Sequence, residues 1–440
     1  MTESGFPTLR LTTEVAAPYL PVATAFVEKT AHAFGFDDAE ALRLTLATEE
    51  VFAHLVRVAL PRGGTVTISC TDAGYCLRVD FLLPVAPLDL RAFNLTATVS
   101  LHDKAALEEM GLLLASRAVD RFWVRREPGG GHTLSLVKER RYPEAEGDPP
   151  LQPHPLTSFV VRSASPEEIK LFARLAWVPE RAPLLPGFFR YPGKLADMVR
   201  GGEYRAAVAA DAAGHLGGGI VWRAVGDKMV ECFGPYRVDA GHDPEIAEAL
   251  FEACVGAIAR SQFLGLLNRF PGADLPQGHF ESLGSLQIRQ EDGSAVEIQT
   301  RFRLLGEDPG CAVWAHPQLY DFLRGEYQRL ALPRQLYAAR HEGERRQPHT
   351  VLSAECERPR RLVTLRPIAI GADLVQTLAE HLDLFGREGF FNILFELDLG
   401  EAWQADCVPA LLVHGLAPRL VLPYAGGADL VIFQLPLPRP

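Results

Sequence analysis

The spacing of apolar and polar positions in the first third of the chain predicts alternating helices and strands. A four-residue repeat predicts a long helix over Asp37–Leu60. Two strands are predicted on either side of a turn at 71–74, and a second helix from about Lys104 to Val119. A closing hairpin is predicted around the glycines at 129–131. This order indicates helices layered on an antiparallel sheet, which is an α+β fold.

The next part of the chain alternates in the same way. A helix is predicted over Pro166–Leu175, and strands are predicted on both sides of the turn at 212–215. The following helix opens with Asp243 as its N-cap and Pro244 at its first position. A buried apolar strand then precedes a short helix predicted near His279–Leu283.

Two interruptions of the pattern predict the domain boundaries. Between Glu139 and Pro155, charged residues and five prolines replace the periodic apolar positions, so no helix or central strand continues there. A weaker interruption at 304–310 follows a predicted hairpin that turns at Glu291–Ser294. The predicted organisation is a domain over 1–140, a linker over 141–155, a second domain over 156–305 and a third over 306–440.

The third segment repeats the later part of the second. Strands, a periodic helix, an apolar strand, a helix over Ala402–His414 and two closing strands follow one another in the same order. This succession predicts an internal structural repeat.

Composition and charge narrow the class of protein. The sequence has 44 Lys and Arg against 55 Asp and Glu, a net charge of −11, which does not indicate nucleic-acid binding. With 48% hydrophobic and 22% charged residues, the chain has enough apolar material for packed cores. No apolar run approaches the roughly 18 residues of a membrane span, so we expect a soluble cytoplasmic protein. The seven cysteines lack zinc-site spacing and are expected to be reduced thiols.

Residues 8–139 resemble the anti-sigma-factor and serine-protein-kinase branch of the GHKL ATPases. The resemblance lies in LATEEVFAHLVRVAL at 46–60, MGLLLASRAVDRF at 110–122 and GGGHTLSLVKER at 129–140. It implies a histidine-kinase-like ATPase α/β sandwich that binds ATP and magnesium. The implied cofactor-binding positions are Glu50, His54, Asp80 and Gly111.

The first segment departs from that family's pattern at the ligand positions. His54 stands where the family has an asparagine that holds magnesium, and an imidazole is a poor magnesium ligand. Glu108 and Glu109 precede Gly111 and would repel phosphate. Glu50 and His54 are also explained as a helix-surface pair one turn apart. We therefore do not expect ATPase or kinase activity, and we interpret the segment as a surface for a protein partner.

Residues 157–305 resemble the GNAT acyltransferases. The matching stretches include GGEYRAAVAADAAGHLGGGIVW, MVECFGPYRV and PEIAEALFEACVGAIARS. The resemblance implies acetyl-CoA or another acyl-CoA as cofactor, with its pyrophosphate at Arg237 and Gly241, and Glu231 as the catalytic base. Phe280 stands where relatives have a tyrosine. Helix capping by Asp243 explains the same loop without a ligand.

The third segment resembles the C-terminal half of a GNAT domain through HGLAPRLVLP and GADLVIFQ. The whole chain therefore resembles an ATPase-fold head followed by tandem GNAT-like mixed α/β sheets. We interpret it as a bacterial regulatory protein whose head binds a partner, such as a sigma-factor or anti-anti-sigma-like regulator, and whose body binds acyl-CoA. An active N-acyltransferase using Glu231 and a non-catalytic scaffold are the alternatives. No metal site, nucleic-acid partner or membrane partner is predicted.

Overall fold

The structure is a computed structural model, and it divides into two compact units. The smaller unit comprises residues 1–141, 346–353 and 367–381, and the larger comprises 142–345, 354–366 and 382–440. The three predicted domain ranges stay a prediction. The residues that the structure describes are 6–58, 64–83, 94, 115, 117–126, 132–145, 153–178, 181, 185–241, 243–290, 292–339, 348–357 and 360–437.

The smaller unit contains a five-stranded antiparallel sheet with the order β1-β2-β3-β5-β4. Apolar residues of its helices and strands, including Val27, Phe52, Ile68 and Phe81, form one buried core. The elements are β1 (Thr8–Glu14), α1 (Leu20–Ala33), α2 (Asp38–Val58), β2 (Thr65–Asp72), β3 (Cys76–Leu83), β4 (Arg121–Arg126) and β5 (His132–Glu139).

The long helix predicted from Asp37 is confirmed as α2, and a capping box fixes its start. The Asp37 carboxylate accepts the Glu40 amide at 2.7 Å, and the Glu40 carboxylate accepts the Asp37 amide at 3.0 Å. Gly111 and most of the helix predicted over Lys104–Val119 lie outside the described residues.

The larger unit contains a seven-stranded mixed sheet with the order β11-β12-β10-β9-β8-β7-β6. Its single parallel pair within the described residues is β9 with β10, which α5 connects. Asp243 caps α5 as predicted, accepting the Glu245 amide. The elements are β6 (Val160–Ser163), α3 (Pro166–Ala176), α4 (Pro192–Arg200), β7 (Tyr204–Ala210), β8 (Leu216–Val225), β9 (Met229–Arg237), α5 (Pro244–Ile258), β10 (Gly265–Asn268), β11 (Glu281–Arg289) and β12 (Ala295–Leu304).

A parallel two-stranded sheet and a second five-stranded sheet, with the order β15-β16-β17-β19-β18, complete the described chain. The elements are β13 (Cys311–Ala315), α6 (Tyr320–Arg329), β14 (Arg334–Ala338), β15 (Val351–Glu357), β16 (Leu362–Ala369), α7 (Leu374–Arg387), β17 (Asn392–Asp398), α8 (Cys407–Val413), β18 (Ala417–Leu422) and β19 (Leu430–Gln434). The fold class is α+β with several sheets, as predicted.

The internal repeat is confirmed at the level of topology. The order β15-β16-β17-β19-β18 reproduces β8-β9-β10-β12-β11, and a helix joins the parallel pair in each case. The register shifts between Ser282 and Gly284 in β11 and between Pro418 and Leu420 in β18, each opposite the closing strand. The two groups of five strands share their order and the place of the register shift. They are therefore one supersecondary unit that occurs twice in the chain.

The short helix predicted near His279–Leu283 is wrong. A 3-10 turn ends at His279, and Glu281 already pairs with Phe302 as the first residue of β11. A five-residue segment is too short for its periodicity to distinguish helix from strand, and pairing with β12 makes this one a strand.

Candidate functional site

The candidate base Glu231 lies on β9 where this strand ends its pairing with β10. Leu267 is its partner in the parallel ladder, and no pair follows within the described residues. Beyond that point the buried side-chain amide of Asn268 donates to the Gly234 carbonyl at 3.0 Å and so connects the two strands. The space between the strands is therefore spanned by a side chain of the protein.

Two arginines hold the Glu231 carboxylate, whose side chain is 4% exposed. Arg269 Nε lies 2.7 Å from Oε1, and Arg223 Nη2 lies 3.0 Å from Oε2. Burial raises the pKa of Glu231, but the charges of Arg269 and Arg223 outweigh it and lower the pKa from 4.5 to about 2. Glu231 is therefore a charged partner of two cations at neutral pH.

The same arginines belong to a longer series of ion pairs within the larger unit. Arg269 Nη1 contacts Glu396 Oε1 at 2.8 Å, and Arg366 contacts Glu396 Oε2 at 2.5 Å and Glu355 at 2.9 Å. Positive and negative groups alternate along this series, which we call the ion-pair network. It comprises Arg223, Glu231, Arg269, Glu396, Arg366 and Glu355 and joins the two repeats through Arg269 and Glu396.

Sequence reasoning found only Glu231 among these six residues. Arg269 directly follows the short buried strand β10, and Glu396 lies inside the apolar strand β17. The sequence does carry one signal for these residues: a charged residue within a buried strand, or directly after one, needs a partner of opposite charge. The identity of that partner depends on the pairing of distant strands.

The loop from Arg237 to Asp243 holds the other candidate residues of this unit. The Arg237 Nε atom lies 2.7 Å from Asp274 Oδ1, and the Arg237 backbone amide donates to Asp274 Oδ2 at 2.9 Å. Asp274 thus engages both the guanidinium and the main chain of Arg237. Its own side chain is 10% exposed.

Carboxylates also occupy the amides at the start of α5. Asp243 Oδ1 accepts the Glu245 amide at 2.9 Å, and the buried Asp239 accepts the Asp243 amide through Oδ2 at 3.2 Å. A Cβ built on Gly241 would lie 3.2 Å from Asp239 Oδ2, so this carboxylate fills the space beside the glycine. In this arrangement the loop does not fit the pyrophosphate of an acyl-CoA.

Phe280, at the position where the GNAT resemblance implies a tyrosine, packs its ring 5.1 Å from that of Phe251. It belongs to an apolar cluster beside α5. The aromatic ring supplies packing and has no proton to donate.

The candidate residues of the smaller unit are placed on two elements. Glu50 and His54 lie one turn apart on α2, and His54 is buried. Asp80 on β3 accepts Ser135 Oγ at 2.6 Å and Arg78 Nε at 2.9 Å. Throughout the described part of the chain, no three His, Cys, Asp or Glu side chains are grouped to hold a metal ion.

An open apolar groove runs between α1 and the edge strand β1 of the smaller unit. Leu9 is 45% exposed and Val22 is 49% exposed, so both contribute to a contiguous exposed apolar surface. The groove is lined by Leu9, Leu11, Pro21, Val22, Ala25, Phe26, Lys29, Thr30 and Ala33. Sequence reasoning did not single out this surface.

Comparison with known proteins gives structural similarities alone. A scan of family models and a search of curated proteins find no match. The RsbU and RsbW domains of a Mycobacterium tuberculosis protein match 31% of this chain at 14% identity with a TM-score of 0.23, over 33% of that chain. This chain thus spans about a third of that structure's length.

Two acetyltransferase structures each match about a third of the chain. A putative acetyltransferase from Acinetobacter baylyi matches 34% of this chain and 93% of its own, at 13% identity and a TM-score of 0.28. A GNAT superfamily phosphinothricin acetyltransferase from Sinorhizobium meliloti, in complex with AcCoA, matches 34% of this chain and 90% of its own, at 19% identity and a TM-score of 0.27. At these TM-scores the likeness carries no argument about function. Among the described helices, none has the length and apolarity needed to cross a membrane.

Proposed function

We propose that this protein is a regulatory scaffold that binds a protein partner through its smaller unit, and that its GNAT-like larger unit is non-catalytic. The observation that carries this proposal is the engagement of Glu231 by Arg223 and Arg269. The carboxylate that would act as the catalytic base is instead the buried counterion of two arginines.

The basicity of Glu231 supports a structural role. A general base works best when its pKa lies near the operating pH. The two arginines lower the pKa of Glu231 to about 2. At pH 7 its protonated fraction is then on the order of one in 10⁵, so it has little tendency to remove a proton from an amine.

The apolar groove between β1 and α1 supports the partner-binding part of the proposal. An edge strand presents main-chain donors and acceptors, and apolar side chains beside it favour an incoming strand or helix. We propose a sigma-factor or anti-anti-sigma-like regulator as the partner, with an apolar segment seated in this groove. Lys29 is the charged residue in the lining of the groove, and its Nζ atom lies 2.9 Å from Glu28 Oε1.

Affinity capture with the full chain tests this proposal. The double variant Leu9→Asp and Val22→Asp places two charges in the groove, whereas Val413→Asp places a charge on α8 at a side chain that is 74% exposed. The proposal requires that one bacterial regulator, identified by mass spectrometry and then purified, binds the wild type and Val413→Asp and loses binding to the groove variant. Equal binding of that regulator to all three chains would contradict the assignment.

Acyl transfer by Glu231 is the second candidate function. The position of Glu231 favours this second function, because Glu231 lies where the parallel strands β9 and β10 end their pairing. Acetyl transfer from acetyl-CoA to a panel of amines, reduced at least about tenfold by Glu231→Gln, would establish this candidate and refute the scaffold. An unchanged rate in the variant would remove Glu231 from catalysis.

A further inference from the structure

The core of the smaller unit includes residues from the last third of the chain. This unit combines the start of the chain with residues 346–353 and 367–381. Val351 is 1% exposed and belongs to the same buried cluster as Val27 of α1 and Phe52 of α2. Each apolar side chain that a core buries adds to its stability. The smaller unit is therefore stabilised by a residue that lies far along the sequence from α1 and α2.

Side chains hold the main chain on both sides of Val351. The buried side-chain amide of Asn94 donates to the Thr350 carbonyl at 2.6 Å and accepts from the Leu352 amide at 2.9 Å. A neighbouring β-strand would engage the same two main-chain groups. The Asp373 carboxylate accepts from the Thr350 amide at 2.6 Å. Hydrogen bonds from two side chains thus fix this segment in an extended position over the core.

The same segment lies very close to Gly371. A Cβ built on Gly371 would lie 2.3 Å from the carbonyl carbon of His349 and 2.6 Å from the Thr350 nitrogen, so only glycine allows this approach. The Gly371 amide donates to the fully buried Thr350 Oγ1 at 2.9 Å. His349 Nδ1 lies 3.0 Å from Asp373 Oδ2. Each residue of the segment 349–352, which we call the strap, therefore makes a specific contact.

The groove between β1 and α1 belongs to the unit that the strap completes. Phe26 lines the groove and also packs against the buried cluster that contains Val351. Ile368 and Ala369, at the end of β16, pack against the same cluster. Without the strap this core would have a cavity, and the buried Asn94 amide would lose both hydrogen bonds. The stability of the groove thus depends on the strap.

We infer that the strap closes the smaller unit, so that this unit and its groove reach full stability only with the strap in place. The region that controls the groove then lies in the third segment of the chain, which otherwise contributes to the larger unit. This inference goes beyond the proposed function, which assigns a partner to the groove and says nothing about what stabilises it.

Hydrogen–deuterium exchange of the full chain, followed by mass spectrometry, tests this inference. The variant Val351→Ala removes two methyl groups from the core, and the matched control Val413→Ala makes the same change at a side chain of α8 that is 74% exposed. In Val351→Ala we expect the amides of α1, α2 and β2 to exchange at least about tenfold faster than in the wild type. The amides of β9 and α5, in the larger unit, should keep their wild-type rates, and the control should match the wild type in both units.

Two results with Val351→Ala would overturn the inference. They are wild-type exchange in the smaller unit and equal acceleration in both units, because the strap would then not serve the smaller unit in particular. Asn94→Ala is a second variant, which leaves Val351 intact and decides the matter if Val351→Ala does not fold. It should make the Leu352 amide exchange at least about tenfold faster, and an unchanged rate would contradict the inference. Neither variant requires a partner protein, so this inference and the proposed function can fail separately.

Discussion

Neutralising Glu231 tests the ion-pair network directly, and the structure gives the size of the effect. In Glu231→Gln the side chain keeps its shape but loses its charge, leaving Arg223 and Arg269 without this counterion. The change in the pKa of Glu231 from 4.5 to about 2 corresponds to roughly 3 kcal/mol in favour of the charged carboxylate. Breaking a buried pair by removing one partner has a similar cost, about 3–5 kcal/mol. We therefore expect a loss of about 3 kcal/mol in the free energy of unfolding at pH 7.

The pH dependence of this loss has a definite sign. Because the pKa of Glu231 is lowered on folding, its contribution is complete above 4.5 and disappears as the pH falls toward 2. The stability difference between wild type and Glu231→Gln should therefore be large at pH 7 and shrink below pH 4.5.

Urea unfolding, followed by circular dichroism across this pH range, measures the difference. Glu252→Gln, on the exposed side of α5, is the matched control and should leave stability nearly unchanged. A Glu231→Gln variant as stable as the control at pH 7 would refute the reasoning, as would a difference that grows on acidification.

Three further predictions concern other parts of the structure. Asn392→Leu should lower the free energy of unfolding, measured by urea melts, by about 3 kcal/mol. The buried side-chain amide of Asn392 accepts from the Arg289 amide and donates to the carbonyls of Arg289 and Arg360, and leucine makes none of these hydrogen bonds. A loss below about 0.5 kcal/mol would contradict this. In the native protein a thiol reagent should modify the exposed Cys356 first, because burial raises the pKa of Cys232 to about 12; a fast phase that survives Cys356→Ser would disprove it. Ser165→Ala should cost about 1 kcal/mol by removing the capping box of α3, and an unchanged melting temperature would show that the box contributes nothing.

The elements of the fold were largely predictable because their signals are local. A few neighbouring residues determine each of three features. These are the acidic start of α2, the cap Asp243 ahead of Pro244, and the hairpin that joins β11 to β12. The helix predicted near His279 is wrong because the segment is too short to show a period, and the pairing of β11 with β12 decides its structure.

The candidate site was less predictable because its partners come from distant parts of the chain. Glu231 could be named from its strand, but Arg269 lies 38 residues away and Asp274 lies 37 residues from Arg237. Such contacts depend on which strands become neighbours. The acidity of the loop at Asp239 and Asp243 was visible in the sequence, and the structure adds which amides each carboxylate occupies.

A calorimetric titration of the full-length protein with acetyl-CoA tests most directly the proposal that the larger unit is non-catalytic. With Asp274 on Arg237 and two carboxylates at the start of α5, we predict no saturable heat up to millimolar ligand. Saturable binding in the micromolar range, lost on Arg237→Ala, would contradict the account and establish an acyl-CoA site.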